Sequence, residues 1–192
     1  LKRNYERIMQ NELHEELNDL MRRRLEEYEE LLARGVQPYA YEFPVDAEAA
    51  EILESFTDEA AAREVAVAGR LMTIRRMGKA TFAHLQDHTG KIQIYLKKDD
   101  LGDESYDTIK LLDIGDIIGV SGTVFRTRMG EISIHAYGVS LLAKSLRPLP
   151  VPKEKTDESG NKVVFDQFTD KELRYRKRPL DLILNPGVKE TF

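Results

Sequence analysis

Apolar positions follow a helical period in the first part of the chain and a two-residue period from Val65 onward. Leu13, Leu17, Leu20, Met21, Leu25, Tyr28, Leu31 and Leu32 recur in steps of three and four, which predicts one amphipathic helix over Asn11–Arg34. Asn11 suits its N-cap, Glu12, Glu15 and Glu16 complement the positive end of its dipole, and Gly35 supplies the stop. The triplet Arg22-Arg23-Arg24 reads either as a solvated face of this helix or as a contact to a phosphate backbone. Pro38 and Pro44 bracket an extended stretch, and Ala47–Phe56 predicts a short helix capped by Asp46.

Alternation then takes over. Strands are predicted from Val65, over Lys79–Asp87, Lys91–Lys98, Asp116–Arg128 and Glu131–Leu142, with turns at His88-Thr89-Gly90 and Met129-Gly130. A helix, Glu104–Leu112, falls between the third and fourth. That order is mainly β with helices: a five-stranded OB-fold barrel with a helix between strands 3 and 4, preceded by the N-terminal amphipathic helix. Gly69 and Gly122 fit the tight bends of a small barrel. A sandwich would want more strands, and a ferredoxin-like fold would want a helix after its first. The expected organisation is a helical extension over 1–62, the barrel over 63–147, and a linker with the truncated start of another domain over 148–192. In that last part Pro148, Pro150 and Pro152 predict an extended segment and Thr156–Lys162 a polar loop. Asp170 should cap a helix that runs to Asp181, kinked or ended early by Pro179.

Composition narrows the chemistry. The 192 residues are 41% hydrophobic and 33% charged, enough to bury a core. No Cys means no disulfide, no Cys-ligated zinc and no thiol nucleophile. No run approaches the ~18 apolar residues of a membrane span, so a cytoplasmic location without membrane association is expected. The net charge of −5 is unevenly spread: −9 over 1–62, +3 over 63–147 and +1 over 148–192. The positive excess falls on the predicted barrel, where it favours a polyanion. No P-loop, dinucleotide loop or nucleophile elbow is present, and His14, His84, His88 and His135 are scattered. No catalytic residue and no metal ligand is assigned.

The barrel surface says more. Parity sets Phe82 and His84 opposite inward Ala83 and Leu85, and turns Gln93, Tyr95, Glu131, Ser133 and His135 outward, with Ile132 and Ile134 inward. A ring offers a π-face to an unstacked base, an amide carries donor and acceptor together, and a carboxylate accepts from a base N–H. Arg70, Arg75, Arg76, Lys79, Lys91, Arg126 and Arg128 lie around them as candidate backbone contacts. Phe82 has a second reading, as a ring covered by another element such as the N-terminal helix. Gly69 breaks the parity count, so alternation leaves the direction of Arg75 open. The residues alone thus indicate an OB-type module for single-stranded nucleic acid.

The same residues carry a resemblance. Val65–Arg70 (VAVAGR), Arg75–Phe82 (RRMGKATF), Leu85-Gln86-Asp87 and Gly90–Gln93 resemble the anticodon-binding domain of class II lysyl-tRNA synthetases. Gly130–His135, Ser145–Pro150, Arg174-Tyr175-Arg176, Asp181-Leu182 and Asn185-Pro186 agree with it. The resemblance implies that Phe82 stacks on the central anticodon uridine, that Gln93 and Glu131 help to read it, and that Arg75 contacts the same loop. It implies a tRNA anticodon stem-loop as partner and a homodimeric parent that joins lysine to tRNA, with ATP and Mg2+ acting in a catalytic domain. The first signature motif of that domain is not reached by Phe192, so this chain is expected to bind tRNA without charging it. It departs from the family at Pro179, where an aromatic is usual, and in the longer linker Val151–Lys171. The alternatives are an aspartyl- or asparaginyl-tRNA synthetase barrel, a non-catalytic OB-fold single-strand binder, and a lysyl synthetase domain fused to a lipid-modifying enzyme.

Overall fold

In the computed structural model, which describes residues 19–59, 61–151, 153–156, 162–165, 168–189 and 191, the first element is helix α1 (Asp19–Ala33). The expected beginning of this helix, residues 11–18, lies outside the described residues. Its end is as the sequence implies. Gly35 adopts φ 75°, its N–H bonds the Leu32 carbonyl at 3.0 Å, and the Val36 N–H bonds that of Leu31 at 2.9 Å. That pair of bonds is a Schellman closure, which needs a left-handed residue at Gly35.

Neither reading of the arginine triplet fits Arg24. Its side chain is buried, and its guanidinium donates to the carbonyls of Ser145 (2.7 Å), Arg147 (3.3 Å) and Ile114 (2.8 Å). Arg23 pairs with Glu27 and Asp113, and Arg22 with Asp19. Next to Arg24 the Lys144 ammonium, with no exposed side-chain surface, lies 2.8 Å from Asp113, 3.1 Å from Asp116 and 3.6 Å from Glu27. Burial and a hydrogen bond with Asp113 push Glu27 up to about 7. Burial also raises Asp116, against the pull of Lys144. Asp113 goes the other way: burial opposes ionisation, but the bonds from Glu27 and Lys144 outweigh it and hold the carboxyl below its ordinary value. A buried charge without partners would be prohibitive, so this cluster is self-consistent only as a whole.

Helix α2 (Ala49–Ser55) forms where expected but is not capped by Asp46. Asp46 accepts from the Ala66 N–H at 2.7 Å instead, tying the approach segment to the barrel. The first α2 amides are capped from elsewhere: Ala49 N–H donates to Asp87 at 2.7 Å and Ala50 N–H to Thr89 at 3.1 Å. Asp87 also takes N–H bonds from Thr89 and Gly90, and these donors outweigh its burial to keep its pKa low. One turn of the barrel thus acts as the N-cap of a remote helix.

Five strands close a barrel in the order β1-β2-β3-β5-β4, with β4 returning to β1. They are β1 (Glu64–Met77), β2 (Ala80–Gln86), β3 (Lys91–Lys97), β4 (Ile117–Arg126) and β5 (Ile132–Ala143). β3 and β5 pair in parallel and the other pairs are antiparallel. Between β3 and β4 lie the expected helix, α4 (Asp103–Ile109), and a single turn before it, α3 (Lys98–Leu101), which the pattern did not show. Alternating residues such as Val67, Leu85, Ile94, Val120 and Ile134 fill the interior. Gly69 and Gly122 are required by contact: an added Cβ would lie 2.6 Å from the Gln86 carbonyl oxygen and 2.4 Å from that of His135.

The chain divides into two compact units, Leu1–Pro148 and Leu149–Phe192. The second holds β6 (Lys153–Thr156) paired antiparallel with β7 (Lys162–Phe165), then α5 (Lys171–Arg176), α6 (Arg178–Leu184) and α7 (Pro186–Lys189). The strand pair was not expected; residues 157–161 of the predicted polar loop between them lie outside the described residues. Asp170 caps α5 through the Leu173 N–H at 2.7 Å. The helix stops before Pro179, which sits in the first turn of α6, where a missing N–H costs nothing. Asp181 is buried; donors from Asn185, Arg174 and Arg178 outweigh that burial and hold its pKa low. Among the described residues no helix is long and apolar enough to cross a membrane.

Candidate nucleic-acid interface

Strand register decides what the outer barrel surface presents. Because directly opposed residues share a face, partners can be followed from strand to strand. Thr73 on β1 opposes His84 on β2, which opposes Gln93 on β3, then Ser133 on β5 and Phe125 on β4. The neighbouring row runs Arg75, Phe82, Tyr95, His135 and Thr123 over the same strands. A register shift between Leu71 and Thr73 is what sets Arg75 opposite Phe82. Alternation counted through Gly69 could not find that bulge.

The second row is aromatic. Phe82 is half-buried, with its ring 4.8 Å from that of Tyr95 at 34°. Tyr95 also lies 5.2 Å from His135 and 6.2 Å from Phe125. These separations suit tilted ring pairs, so Phe82 stands on a packed support while keeping an accessible surface. Arg75, beside it, is exposed.

The first row is polar and connected. The Gln93 amide nitrogen donates to Glu131 at 2.6 Å, and its oxygen accepts from the Ser133 hydroxyl at 2.8 Å. The other Glu131 oxygen lies 2.9 Å from His84 Nε2, and His84 Nδ1 lies 2.7 Å from the Thr73 hydroxyl. Glu131 comes from the turn before β5, closed by Thr127 N–H to the Glu131 carbonyl at 2.9 Å with Gly130 at φ 91°. From there it reaches across to β2 and β3. Ser133 shares this face, as its parity implies, but it is buried rather than solvent-facing. It is the smallest side chain in its row, and its hydroxyl is bonded to Gln93.

The candidate cations separate into two groups. Arg70 donates to the Gly115 carbonyl at 2.8 Å, and burial lowers its pKa. Arg76 donates to the Leu112 carbonyl at 2.9 Å. Arg126 bridges to Asp58 at 2.8 Å, donates to the Gly130 carbonyl and lies over the Phe56 ring. Arg75, Lys79, Lys91 and Arg128 are exposed, and among the described residues no hydrogen bond or ion pair engages their side chains.

Parity alone brought Phe82, Gln93 and Glu131 to one surface, and the register joins Arg75 to them. The sequence did not reveal His84, Tyr95, His135 and Ser133 as parts of the same arrangement. Their outward parity was visible, but a contact such as His84 to Glu131 spans 47 positions and leaves no local trace.

Two comparisons bear on this surface. A family model described as an OB-fold nucleic acid binding domain matches residues 65–142, which holds the barrel from the start of β1 nearly to the end of β5. The lysine–tRNA ligase of Pelotomaculum thermopropionicum is 52% identical over 178 residues, covering 93% of this chain. The chain spans about a third of that relative's length (33%). The barrel topology and these two matches agree: over nearly its whole length the chain is similar to the N-terminal region of a lysyl-tRNA synthetase, and its barrel is an OB-fold anticodon-binding domain.

Proposed function

We propose that the outer barrel face reads the central uridine of an anticodon loop whose bases have been splayed apart, with Phe82, Gln93, Glu131 and Arg75 as the contacting residues. The observation that carries this reading is the pair of adjacent rows that holds Arg75, Phe82 and Gln93, with Glu131 reaching onto Gln93 from the turn before β5. Phe82 gives the base a stacking surface. Gln93 selects among bases. Its amide can take only one orientation, because Glu131 accepts its N–H and Ser133 donates to its oxygen. One N–H and one lone pair then remain for the base, matching the neighbouring acceptor and donor on the uracil edge. Arg75, Lys79, Lys91 and Arg128 supply positive charge for the phosphates.

In the whole protein this recognition would serve ATP-dependent attachment of lysine to tRNA in a cytoplasmic homodimer. The module would hold the anticodon loop at a fixed distance from the catalytic domain. ATP and Mg2+ belong to that domain, and no residue of this chain is assigned to them.

The test is a titration at fixed salt with three RNAs: a uridine-centred anticodon stem-loop, the same hairpin with cytidine at the centre, and an unstructured strand. The uridine-centred hairpin should bind most tightly by at least about tenfold, the scale of one bidentate base contact. Equal affinity for all three would replace this reading with a sequence-indifferent single-strand binder.

A further inference from the structure

We infer that His84 is a positioning residue for base selection: it holds Glu131, and through Glu131 the Gln93 amide, in the orientation that accepts uracil and rejects cytosine. The inference rests on the proposed reading of the barrel face and extends it to a residue that need not touch the RNA.

The direction of each hydrogen bond carries the argument. An ionised Glu131 can only accept, so His84 Nε2, at 2.9 Å, must carry a hydrogen. In the neutral ring Nδ1 is then an acceptor, and the Thr73 hydroxyl at 2.7 Å is its donor. When the ring is protonated, Nδ1 donates to the same hydroxyl oxygen, so the Nε2–H to Glu131 is kept in both states. On the far side Glu131 takes the Gln93 N–H at 2.6 Å, and the buried Ser133 hydroxyl fixes the Gln93 oxygen at 2.8 Å. From His84 Nε2 through Glu131 and Gln93 to Ser133 the bonds therefore keep one sense in both states of the ring, and only the Thr73 bond reverses.

Removing His84 leaves one carboxylate oxygen without its donor. Glu131 sits on a turn with its side chain about half exposed (48%), and among the described residues no other hydrogen bond engages the oxygen that faces His84. Once Glu131 can swing, the Gln93 amide loses one of the two bonds that specify its orientation. A flipped amide offers the exchanged pattern of donor and acceptor, which is that of cytosine's partner. Selectivity should therefore fall more than affinity, because the Phe82 stack is untouched.

The experiment compares wild type, H84A, H84Q, E131A, the H84A/E131A double variant, T73V and F82A. Each is titrated with the uridine-centred and cytidine-centred hairpins, and thermal melting checks the fold. H84A should lower the uridine-to-cytidine affinity ratio about tenfold, the worth of one hydrogen bond to a charged group. H84Q, whose terminal N–H falls near the Nε2 position, should recover most of it. In the E131A background H84A should have no further effect. If H84A weakens both hairpins equally, or adds its full effect to that of E131A, His84 has no positioning role. Should H84A fail to fold, T73V removes the bond behind the ring and must lower the ratio in the same direction; a wild-type ratio in T73V overturns the inference. F82A separates the two levels: unchanged binding in F82A removes the recognition surface itself, whereas weakened F82A with unaltered H84A selectivity removes only the role of His84.

Discussion

Two polar networks in this protein are both built around carboxylates and have opposite settings. Where α1 meets the barrel, Arg24, Lys144, Asp113 and Asp116 are almost wholly withdrawn from water, with Lys144 and Asp116 at 0% side-chain exposure. On the outer barrel face, His84 and Glu131 keep 37% and 48%. The buried network bonds chiefly to carbonyls and to its own ions, so no face is left for a ligand. The exposed network satisfies one side of each group and leaves the other turned outward. Burial makes the first a matter of stability, where breaking one partner strands charge in a low dielectric. Partial exposure makes the second inexpensive to alter in stability and consequential for binding.

The comparison can be broken most directly at Lys144. Lys144→Met should destabilise the protein by about 3–5 kcal/mol, because three carboxylates lose their shared cation. The midpoint of urea unfolding reports this, and a loss under about 1 kcal/mol would mean that the cluster relaxes or hydrates. On the outer barrel face, Phe82→Ala should weaken binding of the uridine-centred hairpin by about 1–3 kcal/mol and lower that midpoint far less than Lys144→Met, by no more than its ring contact with Tyr95 supplies. A variant that lost both would show that the ring belongs to the core.

Glu27 sharpens the contrast through pH. Its folded value of about 7 lies above the ordinary 4.5, so the folded state binds this proton more tightly than the unfolded chain. The associated stability is complete below the unfolded value and is lost as pH rises through about 7. Glu27→Gln, which keeps a neutral side chain, should match wild type near pH ~4 and gain over it steadily toward pH ~8. Parallel stability curves for the two proteins would refute the raised value. The smallest effect is expected from surface cations. Arg75→Ala should lower the slope of log affinity against log salt by about one, and Arg126→Ala, already held by Asp58, should leave it unchanged. Equal slopes in Arg75→Ala and wild type would place Arg75 away from phosphate.

How much of this was legible in the sequence varied by the range of the interaction. Five strands, the intervening helix and the Gly35 stop were visible because period and glycine chemistry act over a few residues. The outward set of Phe82, Gln93 and Glu131 was visible because a strand has only two faces. The α2 cap falls to Asp87 and not to Asp46: a local Asp is the natural acceptor for the first amides until a turn 38 residues away supplies another. Arg24 was misread because a helix wheel shows which face a residue takes but not what that face meets. The β6–β7 pair escaped because four-residue strands carry too little pattern.

By itself the amino-acid sequence determined the element order, the barrel class and the alternation that sorts interior from exterior, all of which follow from backbone geometry and short-range burial. Only the tertiary structure decided that Arg75 stands beside Phe82, that Arg24 is a buried bolt, and that His84 reaches Glu131. These depend on a bulge and on strand register, where a shift of one residue exchanges every neighbour, and a register is fixed by the closure of the whole barrel rather than by any one strand.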